Sequence, residues 1–336
     1  MVELSRHALV GAIGGTYISL ATADIDELSI ANFALLNSAN FKSPMEAIER
    51  YLKTIPSIPN KVGLSIAGVV EGNRASMQNL PWSFDWNDIR AVTGAQHIAF
   101  INEFEALALA LPHMTDYDLL DIGHGHPKLH ATKLVVGAGT GLGAAALVWA
   151  GDRWLPMSGA SRLAAFPAPL DGELDIAAAI AHDGELLAGD VFCGKGLVAL
   201  YGALIKRAGA DLQPLKPAQI TEAALSGKNQ LAREGLDLMA GWMGRFVGDL
   251  ALHFGAQGGV YLAGGLPSNS VPAFQTGRFR QAFDGTNERA AYLDQVQVRV
   301  IKTGSDAGLR GAAIALANSL PVRPATSNHR HGTRIA

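Results

Sequence analysis

Residues 11–17 read GAIGGTY, and residues 137–143 read GAGTGLG. In each segment a glycine turn separates two apolar runs: HALVGAI and YISLATAD flank the first turn, and KLVVGA and LGAAALVW flank the second. A short apolar run that is bounded by turn residues is typical of a buried β-strand. We therefore predict β-hairpins over residues 7–24 and 133–149, one in each half of the chain. Two such hairpins indicate a duplicated unit that faces a shared cleft, where small ligands usually bind.

The stretches around the hairpins alternate between helical and strand patterns, as is typical of an α/β fold. Helices are predicted over residues 44–54, 104–111, 171–182, 195–208, about 230–255 and 307–320. Further strands are predicted over residues 61–70, 97–101, 258–266 and 295–303, the last of them half-buried. The tail over residues 321–336 is polar and aperiodic, and we expect it to be disordered.

Composition limits the class of protein. With 336 residues, 49% of them hydrophobic, the chain has room for two domains with sizeable cores. The net charge of −3, without a basic stripe, argues against a nucleic-acid partner. The sequence contains no run of about 18 apolar residues, which a membrane span would need, and its first residues lack the apolar core of a signal peptide. Because Cys193 is the single cysteine, we expect a reducing, cytoplasmic location.

The glycine turns carry the first functional prediction. Backbone N–H groups in a tight glycine turn converge into an anion-binding concavity, and glycine permits both the required φ and a close approach. A single glycine turn is more often a plain turn than a binding site, and none of the three matches a P-loop or a dinucleotide fingerprint. Together they predict a nucleotide site, with these candidate residues: Gly14, Gly15, Thr16, Gly139, Thr140, Gly141, Gly264 and Gly265.

Several segments resemble the bacterial glucokinase family in order and spacing, from about residue 7 to 318. They are GAIGGTY, INEF (101–104), GAGTGLG, MGRFVGDLALHFGAQGGVYLAGGL (243–266) and FRQAF (279–283). The resemblance implies the two-lobed, actin-like ATPase fold of ribonuclease H-like sugar kinases, with the ligand cleft between the lobes. It implies a small α/β lobe of residues 1–113 plus about 305–320, and a large α/β lobe of residues 114–304.

The same resemblance implies an activity and a set of site residues. The family transfers the γ-phosphoryl group of ATP to the 6-hydroxyl of glucose with Mg²⁺, commonly as a homodimer. By position, Glu103 replaces the catalytic aspartate and Asn102 touches the sugar. The implied nucleotide residues lie in two phosphate loops, residues 11–16 and 137–143, which add Gly11 and Gly137 to the candidates, and at Gly264 and Gly265 beside the adenosine.

This chain departs from the family where the chemistry takes place. Ala12 replaces an aspartate of the first phosphate turn, which puts Mg²⁺ binding in doubt. The sugar ligands of the family, two glutamates and a histidine, align with Ala160, Gly189 and Leu163. Each sugar hydroxyl left unpaired costs about 1–3 kcal/mol, whereas a whole millimolar affinity amounts to about 4 kcal/mol. The sequence thus predicts that glucose phosphorylation is impaired or redirected.

Two cations appear in the aligned sugar segments, Arg162 and Lys195. If they face the cleft, they favour an acidic sugar, such as a sugar acid or a sugar phosphate; if they face solvent, they carry no function. A pseudokinase that senses a nucleotide or a sugar, or binds a partner, is the remaining alternative. No metal site is predicted in the histidine-rich stretch HGHPKLH (124–130), because a loop without cysteine or a helical histidine pair favours plain solvation.

Overall fold

The computed structural model describes residues 6–167, 169–302 and 306–320, so the predicted disorder of residues 321–336 falls outside the described residues. The strands are β1 (His7–Ile13), β2 (Tyr17–Asp24), β3 (Ile30–Asn37), β4 (Lys61–Ile66), β5 (Gly68–Glu71), β6 (Arg74–Met77), β7 (Ser83–Asp85), β8 (His97–Asn102), β9 (Leu119–Asp121), β10 (Lys133–Ala138), β11 (Leu142–Trp149), β12 (Trp154–Gly159), β13 (Val260–Ala263) and β14 (Val298–Ile301).

The helices alternate with these strands. They are α1 (Pro44–Leu52), α2 (Trp86–Thr93), α3 (Glu103–Ala110), α4 (Leu174–Ile180), α5 (Ala188–Val191), α6 (Gly194–Ala208), α7 (Pro217–Leu225), α8 (Gln230–Phe254), α9 (Gly265–Asn269), α10 (Val271–Gln275), α11 (Arg278–Asp284), α12 (Asn287–Leu293) and α13 (Ala307–Ser319). Short 3₁₀ turns lie at Ser38–Asn40, Leu111–His113 and Ser161–Leu163. No helix of the described residues is long and apolar enough to cross a membrane.

The two main sheets repeat one strand order. The first sheet runs β3-β2-β1-β4-β8, and the second runs β12-β11-β10-β13-β14 with β9 added at its edge. In both sheets the first three strands are antiparallel and the next two run parallel to the third. A small third sheet, β5-β6-β7, follows directly after β4 in the chain. The predicted hairpins are confirmed, and each occupies the same place in its sheet.

Two helices join the sheets. α13 packs across β1, β4 and β8, and α3 packs on α13 from one side and on β10, β11 and β12 from the other. Glycine allows this close packing, because a Cβ on Gly63 of β4 would lie 2.5 Å from the carbonyl oxygen of Ala312. Likewise, a Cβ on Gly311 would lie 2.0 Å from the carbonyl oxygen of Ala106. α3 therefore has a fixed position between the two sheets.

Separate apolar cores support each sheet. The first sheet packs against α1 and α2 around Leu64, Ile48 and Ile89, all of them fully buried. The second sheet packs against α6, α8 and α11, with Trp242 and Phe279 fully buried. Because both sheets are held by their own cores, the ends of their strands form rigid walls for whatever lies between them.

Four predicted elements differ from the structure; one is the strand predicted over residues 258–266, which is shorter, at Val260–Ala263. The single strand predicted over residues 61–70 is wrong, because β4 ends at Ile66 and the chain enters the small sheet at Gly68, whose missing side chain lets the Ser76 carbonyl approach. The helix predicted over residues 171–182 is shorter, at Leu174–Ile180. β14 is shorter than the strand predicted over residues 295–303, at Val298–Ile301, and keeps the predicted alternation, with Val298 and Val300 buried and Arg299 partly exposed.

Candidate functional site

A cavity of 1020 Å³ opens between the ends of the two sheets. It is lined by the turn between β1 and β2, the turn between β10 and β11, and the residues that follow β13. The three glycine turns predicted from the sequence therefore meet at one cavity. Its size falls within the range of small-ligand sites.

The first turn is braced by a buried serine. The Gly14 N–H donates to the Tyr17 carbonyl at 2.9 Å. Ser38, which is fully buried, donates from its hydroxyl to the Gly14 carbonyl at 2.8 Å and from its N–H to the Thr16 carbonyl at 2.9 Å. Within the described residues, the N–H of Gly15 has no protein acceptor. The turn thus presents a free donor at the cavity, as an anion-binding concavity requires.

The second turn is tied to the start of a helix. The Gly139 N–H donates to the Gly141 carbonyl at 2.9 Å, and the Gly139 carbonyl accepts from the Gly194 N–H, the first residue of α6, at 2.9 Å. The N–H of Thr140 also lacks an acceptor among the residues that the structure describes. Two turns from two sheets therefore offer unused backbone donors to the same space.

The glycines are needed for close approach more than for backbone conformation. The sequence predicted both reasons, but among the glycines of the three turns only Gly264 adopts a left-handed φ, of +89°. A Cβ on Gly264 would lie 2.4 Å from the Ala138 carbonyl oxygen, and one on Gly14 would lie 2.7 Å from the Tyr17 carbonyl oxygen. A Cβ on Gly141 would meet nothing within 4 Å.

Two glycines of the second hairpin form a notch for an aromatic ring. A Cβ on Gly137 or on Gly143 would lie 2.4 or 2.0 Å from a ring carbon of Phe104. Phe104 is the second residue of α3, so the notch seats the start of this helix against the second sheet. Gly137 thus has a packing role that explains its identity without any ligand.

Glu103 lies at the first position of α3 and lines the cavity. Burial raises the pKa of its carboxyl from 4.5 to about 7. The preceding residue, Asn102, caps the helix: its side-chain oxygen accepts from the Phe104 N–H at 2.9 Å, and its amide donates to the Gly68 carbonyl at 2.9 Å. Asn102 lines the same cavity and holds Glu103 at the junction of β8 and α3.

Glu105 takes no part in the cavity lining. Its carboxylate accepts from the Ser158 hydroxyl at 2.7 Å and from the Ser158 N–H at 3.4 Å. Ser158 belongs to β12, so this contact joins α3 to the edge of the second sheet. Glu105 is therefore engaged with β12, outside the cavity.

The opposite wall of the cavity carries the positions that the resemblance aligns with sugar ligands of the family. Ala160, Leu163 and Gly189 all line it, as does Arg162. A Cβ on Gly189 would lie 2.7 Å from the Arg162 carbonyl oxygen and 2.9 Å from the Arg162 Cβ. The 3₁₀ turn Ser161–Leu163 therefore packs directly onto Gly189, in space that a larger residue at position 189 would need.

Three predicted positions lie apart from the cavity lining. Gly11 is buried inside β1, where a Cβ would lie 2.8 Å from a methyl group of Leu64. Lys195 is exposed on the first turn of α6 and is absent from the lining. Ala12 is also absent, and a Cβ placed on Gly308 at the start of α13 would lie 3.6 Å from the Ala12 Cβ.

The cavity also contains polar side chains that sequence reasoning missed. These are Gln78 and Asn79, which lie between β6 and β7, Ser158, Ser161 and Asp190. Asp190 adjoins Gly189, and its carboxylate accepts from the Leu187 N–H at 3.3 Å. Its place next to an aligned ligand position was a signal in the sequence; no pattern marked Gln78 or Asn79. The cleft is therefore more polar than the replaced ligands alone imply.

The histidine-rich stretch forms a loop, as predicted. His124 contacts Asp294 through Nε2 and Oδ1 at 2.5 Å, and ligand atoms of His124, Asp284 and Asp294 lie within 4.8 Å of one another. The Arg280 guanidinium donates to Asp284 at 2.9 Å, so a cation already occupies one side of this cluster. The absence of a metal site here stays a prediction.

Comparison with known proteins gives the family. A glucokinase family model matches residues 9–319. The chain belongs to the glucokinase family. It is 34% identical to the glucokinase of Agrobacterium fabrum over 322 residues, which cover 92% of each chain. It is 33% identical to the glucokinase of Hahella chejuensis over 316 residues, 94% of this chain and 98% of the relative. The protein is thus a glucokinase-family sugar kinase, and ATP-dependent phosphoryl transfer is the reaction of its family.

Solved structures agree with the fold. The glucokinase of an Antarctic psychrotroph is 28% identical and superposes with a TM-score of 0.82, covering 94% of this chain and 100% of that one. A glucokinase from Streptomyces griseus, solved with glucose and AMPPNP, is 18% identical with a TM-score of 0.64, covering 91% of this chain and 98% of that one. The glucokinase-family chain therefore has the actin-like ATPase fold that the resemblance implied.

Proposed function

We propose that this protein binds ATP at the three glycine turns and transfers its γ-phosphoryl group to a hydroxyl of a sugar. The contacts to that sugar differ from those by which the family holds glucose. One observation carries the proposal. A single cavity brings together free backbone donors from two turns, the Gly264 turn and a carboxyl group whose pKa lies at about 7. Phosphoryl transfer depends mainly on positioning and on charge stabilisation, and these features supply both.

The nucleotide would lie along the turns. The N–H groups of Gly15 and Thr140 point to the phosphates in this proposal, and the Thr16 and Thr140 hydroxyls line the same space. Gly264 and Gly265 leave room for the rest of the nucleotide where β13 ends. Gly11 and Gly137 contribute indirectly, because their missing side chains let Leu64 and Phe104 pack against the strands that carry the turns.

Glu103 is the proposed base. The sugar hydroxyl oxygen bonds to the γ-phosphorus, the bond from that phosphorus to the bridging oxygen of ADP breaks, and the hydroxyl proton moves to the Glu103 carboxylate. A carboxyl with a pKa of about 7 is half ionised at neutral pH, and a base is most effective when its pKa lies near the working pH. Asn102 positions Glu103 and offers its remaining amide hydrogen to the sugar.

The residues of this chain do not fit a Mg²⁺ ion held by the protein. Such ions usually take one or two carboxylates together with substrate phosphates. Among the described residues, the carboxylates of the cavity are Glu103, half protonated near pH 7, and Asp190, engaged by the Leu187 N–H. Position 12 carries a methyl group instead of a carboxylate. We therefore assign no step to the metal.

The sugar wall supports a changed substrate. Arg162 lines the cavity without a carboxylate partner among the described residues, which favours an acidic sugar over glucose. Lys195 lies outside the lining, so Arg162 carries this preference alone. Asp190 on the same wall opposes it in charge and offers an acceptor for a hydroxyl group.

Several further features of the family are proposed for this chain as well. They are the small lobe of residues 1–113 with about 305–320, the large lobe of residues 114–304, a homodimeric state and a cytoplasmic location. No nucleic-acid partner is proposed, because the net charge is −3.

An ADP-release assay against neutral and acidic sugars tests the proposal. We expect slow turnover of glucose and faster turnover of at least one other sugar, with Ala12→Asp raising the rate and the isosteric Ala12→Asn leaving it unchanged. Because position 12 lies beside the start of α13, where a negative charge is favourable, we expect the Ala12→Asp variant to remain folded. Rapid glucose turnover by the unmodified chain contradicts the changed substrate; no turnover of any sugar by either Ala12 variant supports a pseudokinase instead.

A further inference from the structure

The link between β6 and β7, residues 78–82, presents two polar side chains to the cavity of the cleft. These are Gln78 and Asn79, which are exposed, whereas Met77 before them and Trp82 after them are buried. The Met77 N–H donates to the Trp82 carbonyl at 2.9 Å and closes the link. The polar tip of the link is therefore held at the cavity by a buried base.

Asn79 lies against Gly15 of the first glycine turn. A Cβ on Gly15 would lie 3.3 Å from the Asn79 Cβ and 3.8 Å from the Asn79 amide nitrogen. Gly15 does not adopt a left-handed φ, so this contact, rather than the backbone conformation, accounts for the glycine. Within the described residues, the Asn79 side chain has no hydrogen-bond partner and the Gly15 N–H has no acceptor. Two unused donors therefore lie next to each other at the cavity.

The position of the first turn identifies the phosphate that these donors would meet. Ile13 pairs with Ile66, and Ile66 pairs with Asn102, so β1, β4 and β8 end level with one another. The first turn follows β1, and Glu103 follows β8 two strands away, about 10 Å across the sheet. The second turn belongs to the other main sheet. Because the attacking hydroxyl must lie between the base and the phosphorus, the phosphoryl group at the first turn is the transferred one.

We propose that the side-chain amide of Asn79 donates to the γ-phosphoryl group of ATP, next to the N–H of Gly15. This inference rests on the proposed function and makes Asn79 a residue that distinguishes ATP from ADP. Arg162 is the one cation among the described lining residues, and it lies on the opposite wall. The γ-phosphoryl group is therefore held by neutral donors at the first turn. A hydrogen bond to an ionised acceptor is stronger than one between neutral groups, so the loss of one donor is measurable.

Calorimetric titration of Asn79 variants with ATP and with ADP tests the contact. Asn79→Ala removes the donor and weakens ATP binding by about tenfold, the equivalent of one hydrogen bond to a charged group. ADP lacks the γ-phosphoryl group, so its affinity stays within about twofold of that of the unmodified chain. Asn79→Asp keeps the shape of the side chain but places a carboxylate against the phosphate, and it weakens ATP binding more than Asn79→Ala does.

Asn73→Asp is the matched control for the charge change. Asn73 lies in the turn between β5 and β6 of the same small sheet, is exposed like Asn79, and is absent from the cavity lining. We expect Asn73→Asp to leave both affinities unchanged. All three variants are expected to keep the unfolding temperature of the unmodified chain, because both positions are exposed.

The ratio of ATP affinity to ADP affinity separates a phosphate contact from mere packing on Gly15. Equal losses of ATP and ADP affinity in Asn79→Ala would show a structural role and overturn the assignment. Unchanged ATP affinity in Asn79→Ala, with weaker binding of the sugar, would place the residue in the sugar site instead. ATP binding that does not depend on Asn79 refutes this inference alone, whereas absence of ATP binding in the unmodified chain refutes the proposed function together with it.

Discussion

The two walls of the cleft differ in what their small residues do. On the wall proposed to bind the nucleotide (the nucleotide wall, residues 14–16, 139–141 and 264–265), glycines bring backbone atoms together: Gly14 admits the Tyr17 carbonyl and Gly264 admits the Ala138 carbonyl. The N–H groups of Gly15 and Thr140 have no acceptor among the described residues. On the sugar wall, Gly189 admits the Arg162 turn, and the residues around it present Leu163, which is 51% exposed, and Ala160 to the cavity. Gly14 and Gly264 help to build a polar surface of backbone groups, whereas Gly189 lets the neighbouring Arg162 turn fill the space beside it.

This difference separates binding of a nucleotide from recognition of a sugar. The nucleotide wall consists of backbone groups, whose positions follow from the hairpins and need few particular side chains. The proposed sugar wall depends on side chains, and the resemblance aligns the sugar ligands of the family with Ala160, Leu163 and Gly189. We infer that ATP affinity is the more robust property of this chain and that glucose affinity is the more altered one.

The largest effect is expected from Glu103→Gln. The variant keeps the shape of the side chain but cannot accept a proton, so kcat/KM for the best sugar falls by about 100-fold or more. ATP affinity, measured by calorimetry, stays within about twofold, because the base does not touch the nucleotide wall. Unchanged turnover in Glu103→Gln would show that another group accepts the proton.

Gly264→Ala tests the nucleotide wall. Its φ of +89° and the Ala138 carbonyl at 2.4 Å from a new Cβ both oppose any side chain. The left-handed backbone and the clash with the Ala138 carbonyl together lower the free energy of unfolding by about 3 kcal/mol. Urea denaturation measures this loss. Gly141→Ala is the matched control: its Cβ meets no atom within 4 Å and its φ is not left-handed, so it unfolds like the unmodified chain. Equal losses in both variants would contradict the close-approach account.

These glycines also show how far sequence reasoning reaches. The hairpins were predictable, because apolar runs around glycine turns have few other solutions. The reason for Gly143 was not, since Phe104 reaches it from another part of the chain. The edge strands β3 and β12 were missed because they are largely exposed, so burial does not impose a regular apolar pattern on them. Asp190 was not predicted because the family ligand aligns with its neighbour, Gly189.

Gly189→Ala tests the sugar wall. The added methyl group meets the Arg162 carbonyl and Cβ at less than 3 Å, so the 3₁₀ turn must move, at a cost of about 1–3 kcal/mol in the free energy of unfolding. Gly202→Ala, inside α6 with open space around its Cβ, is the control and is expected to gain about 0.5–1 kcal/mol. A Gly189→Ala variant as stable as the Gly202→Ala variant would show that the turn does not rest on Gly189.

The smallest effect concerns pH. Burial keeps the folded-state pKa of Glu103 at about 7, above its ordinary value of 4.5. The folded state therefore binds the proton more tightly, and stability falls as pH rises from 4.5 through 7. Because the side chain retains some contact with solvent, we expect a cost of roughly 1 kcal/mol above pH 7. Glu103→Gln removes this cost. The difference in unfolding temperature between the variant and the unmodified chain is therefore expected to favour the variant more at pH 8 than at pH 4. The turnover rate of the unmodified chain has the opposite slope, rising through pH 7 as the base loses its proton.

The contrast between the two walls is tested most directly by calorimetric titration of the unmodified chain with glucose while ATP affinity is measured under the same conditions. The account predicts ATP binding that saturates and a glucose dissociation constant above about 10 mM, because three hydroxyl partners of the family are replaced. Glucose binding at or below about 0.1 mM, with ATP binding weak or absent, would reverse the assignment of the two walls and contradict the account.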